Sequence, residues 1–143
     1  MSDALSKLAN LKAVAGFFKV ADIPGIEVAP GVTLQLISGE KAMFSVVSFA
    51  PGSIVPLHSH PHEQCGTVLE GEMIFYMHSM NPEDGQRCGP GDFYVAPGGT
   101  LHAATPASDQ PVLALDVFSP PREDYLEMFR QKYGREARGF APA

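Results

Sequence analysis

The chain has 143 residues, a formal net charge of −6, 14 glycines and 13 prolines. That length fits one domain with a hydrophobic core of its own, and the acidic balance excludes nucleic acid and anionic membrane surfaces as natural partners. The glycine and proline content favours many short strands joined by turns over long helices. The opening MSDALSKLAN is too polar for a secretory leader, and no apolar run approaches the ~20 residues of a membrane helix. The expectation is a cytoplasmic chain whose two cysteines, Cys65 and Cys88, are reduced thiols rather than a disulfide framework.

In chain order, residues 3–15 carry Leu5, Leu8 and Leu11 at helical spacing and predict a short N-terminal helix. Phe17 to Val20 is a candidate edge strand, stopped by Pro24-Gly25. Strands are expected on either side of the Pro30-Gly31 turn, the second with alternating Val32, Leu34 and Leu36. The run AMFSVVSFA, Ala42 to Ala50, is almost wholly apolar and predicts a strand covered on both faces. Further strands are expected over Ile54 to His58, Cys65 to Glu70, Glu72 to Met77, Phe93 to Ala96, His102 to Thr105 and Val112 to Phe118. The stretch HSMNPEDGQRC reads as a long polar turn. Only the end is clearly helical. There Ser119 is a candidate cap, Pro120 and Pro121 suit a first turn, and Tyr125, Phe129 and Tyr133 share a stripe that Gly134 can stop.

Two stretches concentrate chemistry. The first, PGSIVPLHSHPHEQCGTVLEG (Pro51 to Gly71), holds His58, His60, His62 and Gln64. On an extended strand His58, His60 and Gln64 share one side, so two imidazoles and an amide oxygen can converge on one cation. Glu63 and Cys65 then point the other way, and Pro61 bends the path of His62 toward a pocket or its rim. The second stretch, GPGDFYVAPGGTLHAATP (Gly89 to Pro106), delivers His102 just after a Pro97-Gly98-Gly99 turn. A third group, Asp116, Phe118 and Arg122, stands out because a carboxylate in the apolar strand VLALDVF is costly to bury without a partner or a task. It is either an Asp116–Arg122 ion pair or an acid/base carboxylate beside an anion-binding guanidinium.

Gly52, His58, His60 and Gly71 resemble the first cupin motif, with Gln64 where a glutamate usually stands. Gly91, Pro97, Gly99 and His102 resemble the second, with Pro106 where an asparagine usually stands. The resemblance implies an all-β fold, a double-stranded β-helix or jelly-roll barrel, with the predicted N-terminal and C-terminal helices outside it. One domain over residues 1–143 follows, its core at about 32–119.

The runs HSHPHEQ and DVFSPPREDYL are similar to the small cupins of the KdgF type. That likeness implies a divalent transition metal (Ni, Zn, Mn or Fe) on His58, His60, Gln64 and His102. It also implies catalytic or substrate roles for Asp116, Phe118 and Arg122. The implied activity is isomerisation by proton transfer on a small acid, such as an unsaturated uronate, by a homodimer in carbohydrate metabolism. The metal would polarise a substrate oxygen, more strongly with a neutral amide than with a carboxylate among its ligands. An Fe(II)-dependent dioxygenase and a non-catalytic small-molecule-binding cupin are the alternatives. The longer MHSMNPEDGQRC segment departs from the KdgF pattern, and Met43, Phe44, Phe75 and Met77 offer unusually apolar pocket walls.

Overall fold

The computed structural model describes residues 12–137. Ten strands dominate: β1 (Ile26–Ala29), β2 (Val32–Ser38), β3 (Met43–Phe49), β4 (Val55–His58), β5 (Glu63–Glu70), β6 (Met73–Met77), β7 (Gly85–Cys88), β8 (Phe93–Ala96), β9 (His102–Pro106) and β10 (Val112–Ser119). They form two antiparallel sheets. One has six strands in the order β1-β2-β3-β10-β5-β8, the other four in the order β4-β9-β6-β7. The closed barrel expected from the sequence is not formed: the sheets face each other as separate ladders, with β8 and β7 as unjoined edges.

The alternation of side chains decides what lies between the sheets. Along β2, β3 and β10 every second residue is buried, as period 2 requires. Leu36, Met43, Val68 and Met73 are among the most deeply buried side chains of the core. The expectation that β3 is covered on both faces is corrected here. Phe44 and Ser48 are exposed, because an antiparallel sheet needs only one packed face.

The stretch that reads as a polar turn contains a strand. Pro82–Asp84 makes one 3-10 turn, and β7 then pairs with β6 through Met73↔Cys88 and Phe75↔Gln86. Backbone pairing, rather than apolar content, makes GQRC a strand. Phe17 to Val20 is not a strand, and Lys12 to Ala15 is not helical. Leu5, Leu8 and Leu11, which carry the expected N-terminal helix, lie outside the described residues.

The C-terminal helix, α1 (Glu123–Tyr133), begins later than Ser119 would set it. Ser119 still belongs to β10, and its hydroxyl donates to the Lys41 carbonyl at 2.9 Å. Arg122 takes the cap position without a side-chain cap bond, and Gly134 ends the helix in the left-handed conformation (φ 69°). Leu126 and Phe129 are buried, and the Tyr133 hydroxyl donates to the Gly25 carbonyl at 2.6 Å. The helix is thereby anchored beside β1, with its first turn held near the end of β10.

Candidate active site

His58 and His60 do not share a strand. His58 ends β4, while His60, Pro61 and His62 form the corner that carries the chain into β5, in the opposite sheet. His102 opens β9, directly opposite His58 in the ladder. Gln64 enters from β5 in the other sheet. The two histidine stretches are locked together through the backbone. The Gly99 N–H donates to the His60 carbonyl at 2.8 Å, and a Cβ on Gly98 would lie 2.3 Å from the Pro61 carbonyl oxygen. Only glycine permits that approach.

Each of the three imidazoles is oriented by a carbonyl two residues away. His58 Nδ1–H donates to Pro56 (2.8 Å), His60 Nδ1–H to His62 (3.0 Å) and His102 Nδ1–H to Thr100 (2.8 Å). The Nε2 lone pairs are therefore left to face inward. His60 and His102 Nε2 lie 3.2 Å apart, and Gln64 Oε1 lies 3.1 and 3.0 Å from them. The Gln64 side chain also acts on Asp116, favouring its charged form. Three acceptors facing one another repel unless a cation sits among them. A proton does not serve at neutral pH, because burial, reinforced by the Arg122 charge, lowers the His60 pKa to about 4. Burial also lowers that of His102. Ligand atoms ~2.0–2.2 Å from one metal stand about 3.0–3.4 Å apart, so the donor set fits a divalent transition metal. His58, His60 and His102 could hold it, their ligand atoms lying within 4.8 Å of one another.

Asp116 lies in the same cavity, on β10. The sheet register places Ser45, Asp116, Gly66 and Tyr94 in one cross-strand row. The Tyr94 hydroxyl donates to Asp116 Oδ1 at 2.5 Å, passing over Gly66. A Cβ on Gly66 would come within 2.3 Å of that oxygen and 2.4 Å of the Tyr94 ring. Burial pushes the Asp116 pKa up to about 6, against the opposing effect of the Tyr94 and Gln64 hydrogen bonds. Burial likewise raises the Tyr94 pKa, so the phenol remains a donor.

Asp116 and Arg122 do not form the ion pair that was one reading of the sequence. Arg122 donates through Nε and Nη2 to the two carboxylate oxygens of Asp124, at 2.9 and 2.7 Å. Its guanidinium lies 3.9 Å from the Tyr125 ring centroid and 5.2 Å from that of Phe118. Phe118 meets the His60 ring edge-on at 5.6 Å, which links the guanidinium to the histidine corner. Nη1 is buried without a partner.

His62 is buried rather than on a rim, and its Nε2–H donates to Glu123 Oε2 at 2.8 Å. Glu63 is exposed and Cys65 faces away from the site, as strand parity predicts. Of the four apolar wall candidates, only Phe75 lines this cavity; Phe44 is on the outer face. Sequence reasoning missed Tyr94, Ser45, Glu123 and Asp124. The first two lie inside strands that read simply as core, and nothing local marks their partners.

The match to the cupin domain family covers residues 45–118, just over half of the chain. Among solved structures, KdgF from Halomonas sp. superposes with a TM-score of 0.70 at 30% identity, covering 79% of this chain and 100% of that one. Dimethylsulfoniopropionate lyase DddQ from Ruegeria pomeroyi is 40% identical over 70 residues, 49% of this chain and 33% of that protein. Auxin-binding protein ABP19b from Prunus persica is 31% identical over 107 residues, 73% of this chain and 49% of that protein. The chain thus spans a third to a half of the length of these two curated relatives. With both histidine stretches meeting between two antiparallel sheets, and with the family match spanning them, the chain belongs to the cupin family.

Proposed function

We propose that this cupin is a metal-dependent isomerase acting by proton transfer on a small hydroxylated acid, with a 4,5-unsaturated uronate as the first candidate. The carrying observation is Asp116: a buried carboxyl with a pKa near 6, in the same cavity as His58, Gln64 and His102. A group poised near neutrality can both accept and return a proton, the requirement for general acid/base work without redox change.

His58, His60, Gln64 and His102 would hold a divalent metal, which when bound supplies Lewis acidity toward a substrate oxygen. Asp116 takes the proton of the ring hydroxyl as the adjacent ring C–O bond breaks, leaving an aldehyde and an enolate. It then returns the proton to the enolate carbon, so atoms and charge balance. Tyr94 fixes the carboxyl by its hydrogen bond. Arg122, clamped by Asp124 and stacked on Tyr125 and Phe118, whose rings line the cavity, would draw the substrate carboxylate by its charge. The cavity has about 40 Å³ of room for water-sized groups, space for roughly three of them at ~10–15 Å³ each. It suits a few polar groups of one small molecule.

Homodimerisation is part of the same proposal. Phe44, Leu69, Phe93 and Val95 are exposed on the outer face of the six-stranded sheet, a suitable surface for a second copy. The deciding experiment is metal analysis of native protein. It is followed by loss of the unsaturated uronate's ultraviolet absorbance, under air and under nitrogen. Equal rates in both gases support the isomerase. Turnover that needs oxygen would replace it with an Fe(II) dioxygenase, and no turnover with metal bound would favour a binding protein.

A further inference from the structure

Three buried side-chain polar atoms among the described residues have no hydrogen-bond partner: Ser45 Oγ, His62 Nδ1 and Arg122 Nη1. Ser45 is the one that lines the cavity. Its side chain is fully buried on β3, on the inward face it shares with Met43, Val47 and Phe49. An apolar residue would fill that place without leaving a hydroxyl dry, and an unsatisfied buried hydroxyl is a cost that a fold does not otherwise carry. Across the ladder, directly opposite Ser45, stands Asp116. Residues directly opposite in an antiparallel pair have Cβ atoms only ~4.5–5.5 Å apart, yet these two side chains do not bond to each other. Asp116 Oδ1 instead takes the Tyr94 hydroxyl, from the far side of the row.

We propose that Ser45 is a ligand-contacting, specificity-determining residue: with Asp116 it forms a subsite for a hydroxyl group of the substrate, two residues along the sheet from the row of Gln64. The rows are fixed by register, since Gln64 pairs with Phe118 while Gly66 pairs with Asp116. A hydroxyl both donates and accepts, so it can donate to the carboxyl and accept from Ser45 Oγ–H. A carboxylate would be repelled by Asp116, and a ketone oxygen could only accept. The inference deepens the proposed reading of a hydroxylated acid, on which it rests for placing the ligand in this cavity.

The test is calorimetric titration of the protein as purified, metal bound, with galacturonate and with cyclohexanecarboxylate. Both offer a six-membered ring and a carboxylate, and only the first carries hydroxyls. Wild type should prefer galacturonate. Ser45→Ala should weaken galacturonate about five- to tenfold, the loss of one neutral hydrogen bond, and leave cyclohexanecarboxylate unchanged. Ligand-free Ser45→Ala should melt at or above the wild-type temperature, because it removes a dry hydroxyl. An unchanged preference in Ser45→Ala, as for a hydroxyl that serves a bound water only, overturns the subsite. So does wild type without preference, or a variant with a lowered melting temperature that loses both ligands alike. Turnover of the unsaturated uronate on the same preparations separates the two ideas. Inactive wild type that still shows the Ser45-dependent preference defeats the isomerase reading and leaves the subsite standing.

Discussion

The histidine corner and the wall that carries Asp116 are built by different means. Every imidazole in the corner is held by a carbonyl two residues away in its own segment. The wall is held by partners from elsewhere. Asp116 depends on Tyr94, 22 residues distant, and on the ladders with β3 and β5 for its place in the row. Local backbone orients each imidazole of the corner, so the two histidine motifs already mark it in the sequence. Sheet register orients the wall, so it depends on the whole fold being in place.

The sharpest break of that contrast is at the corner. His102→Ala should strip the metal, abolish turnover and lower stability by about 3–4 kcal/mol when wild type is measured with metal at 100–1,000 times its dissociation constant. The wall should remain, since Tyr94 and Asp116 do not touch His102. Metal analysis and melting with and without chelator check this. A His102→Ala protein that keeps one metal per chain would remove the corner as the binding site.

Next comes Asp116→Asn, expected to fold and bind metal while turnover falls roughly 10²–10⁴-fold, the contribution of one positioned acid/base group. The amide keeps the shape and can still accept from Tyr94, so only proton exchange is lost. Wild-type turnover in this variant would reduce the wall to a structural feature.

Gly66→Ala probes the register directly. The new Cβ must displace Asp116 or the Tyr94 ring, at 2.3 and 2.4 Å. Overpacking of this kind costs about 1–3 kcal/mol, and the Tyr94–Asp116 bond should break while the metal stays. Denaturant melts paired with metal content measure it. An unaltered melt would show that the strands relax around the row.

Smallest is Gln64→Glu. The fold and the metal should be retained, because a carboxylate oxygen reaches where the amide oxygen now points. Activity should fall because an anionic ligand weakens the metal's pull on substrate oxygen, and because Asp116 loses an amide donor and gains a like charge. A variant as fast as wild type would make the neutral amide incidental.

The sequence by itself determined the strand series around the two motifs, the meeting of His58, His60 and His102, and the outward turn of Glu63 and Cys65. These rest on period-2 alternation, turn chemistry and short spacings, all of which act within a few residues. Its errors have the same origin. Apolar content mistook β3 for a strand buried on both faces, and polar content hid β7 in a turn, because burial and pairing are decided by neighbouring strands. Asp116 was conspicuous as a charge in an apolar run, but its partner was not. Only the tertiary structure gave Asp116 to Tyr94 across Gly66, kept Arg122 from pairing with Asp116, left the sheets unjoined between β7 and β8, and set a dry Ser45 hydroxyl opposite a carboxyl. Each of these is decided by how elements far apart in the chain pair and pack, rather than by any local preference of the residues themselves.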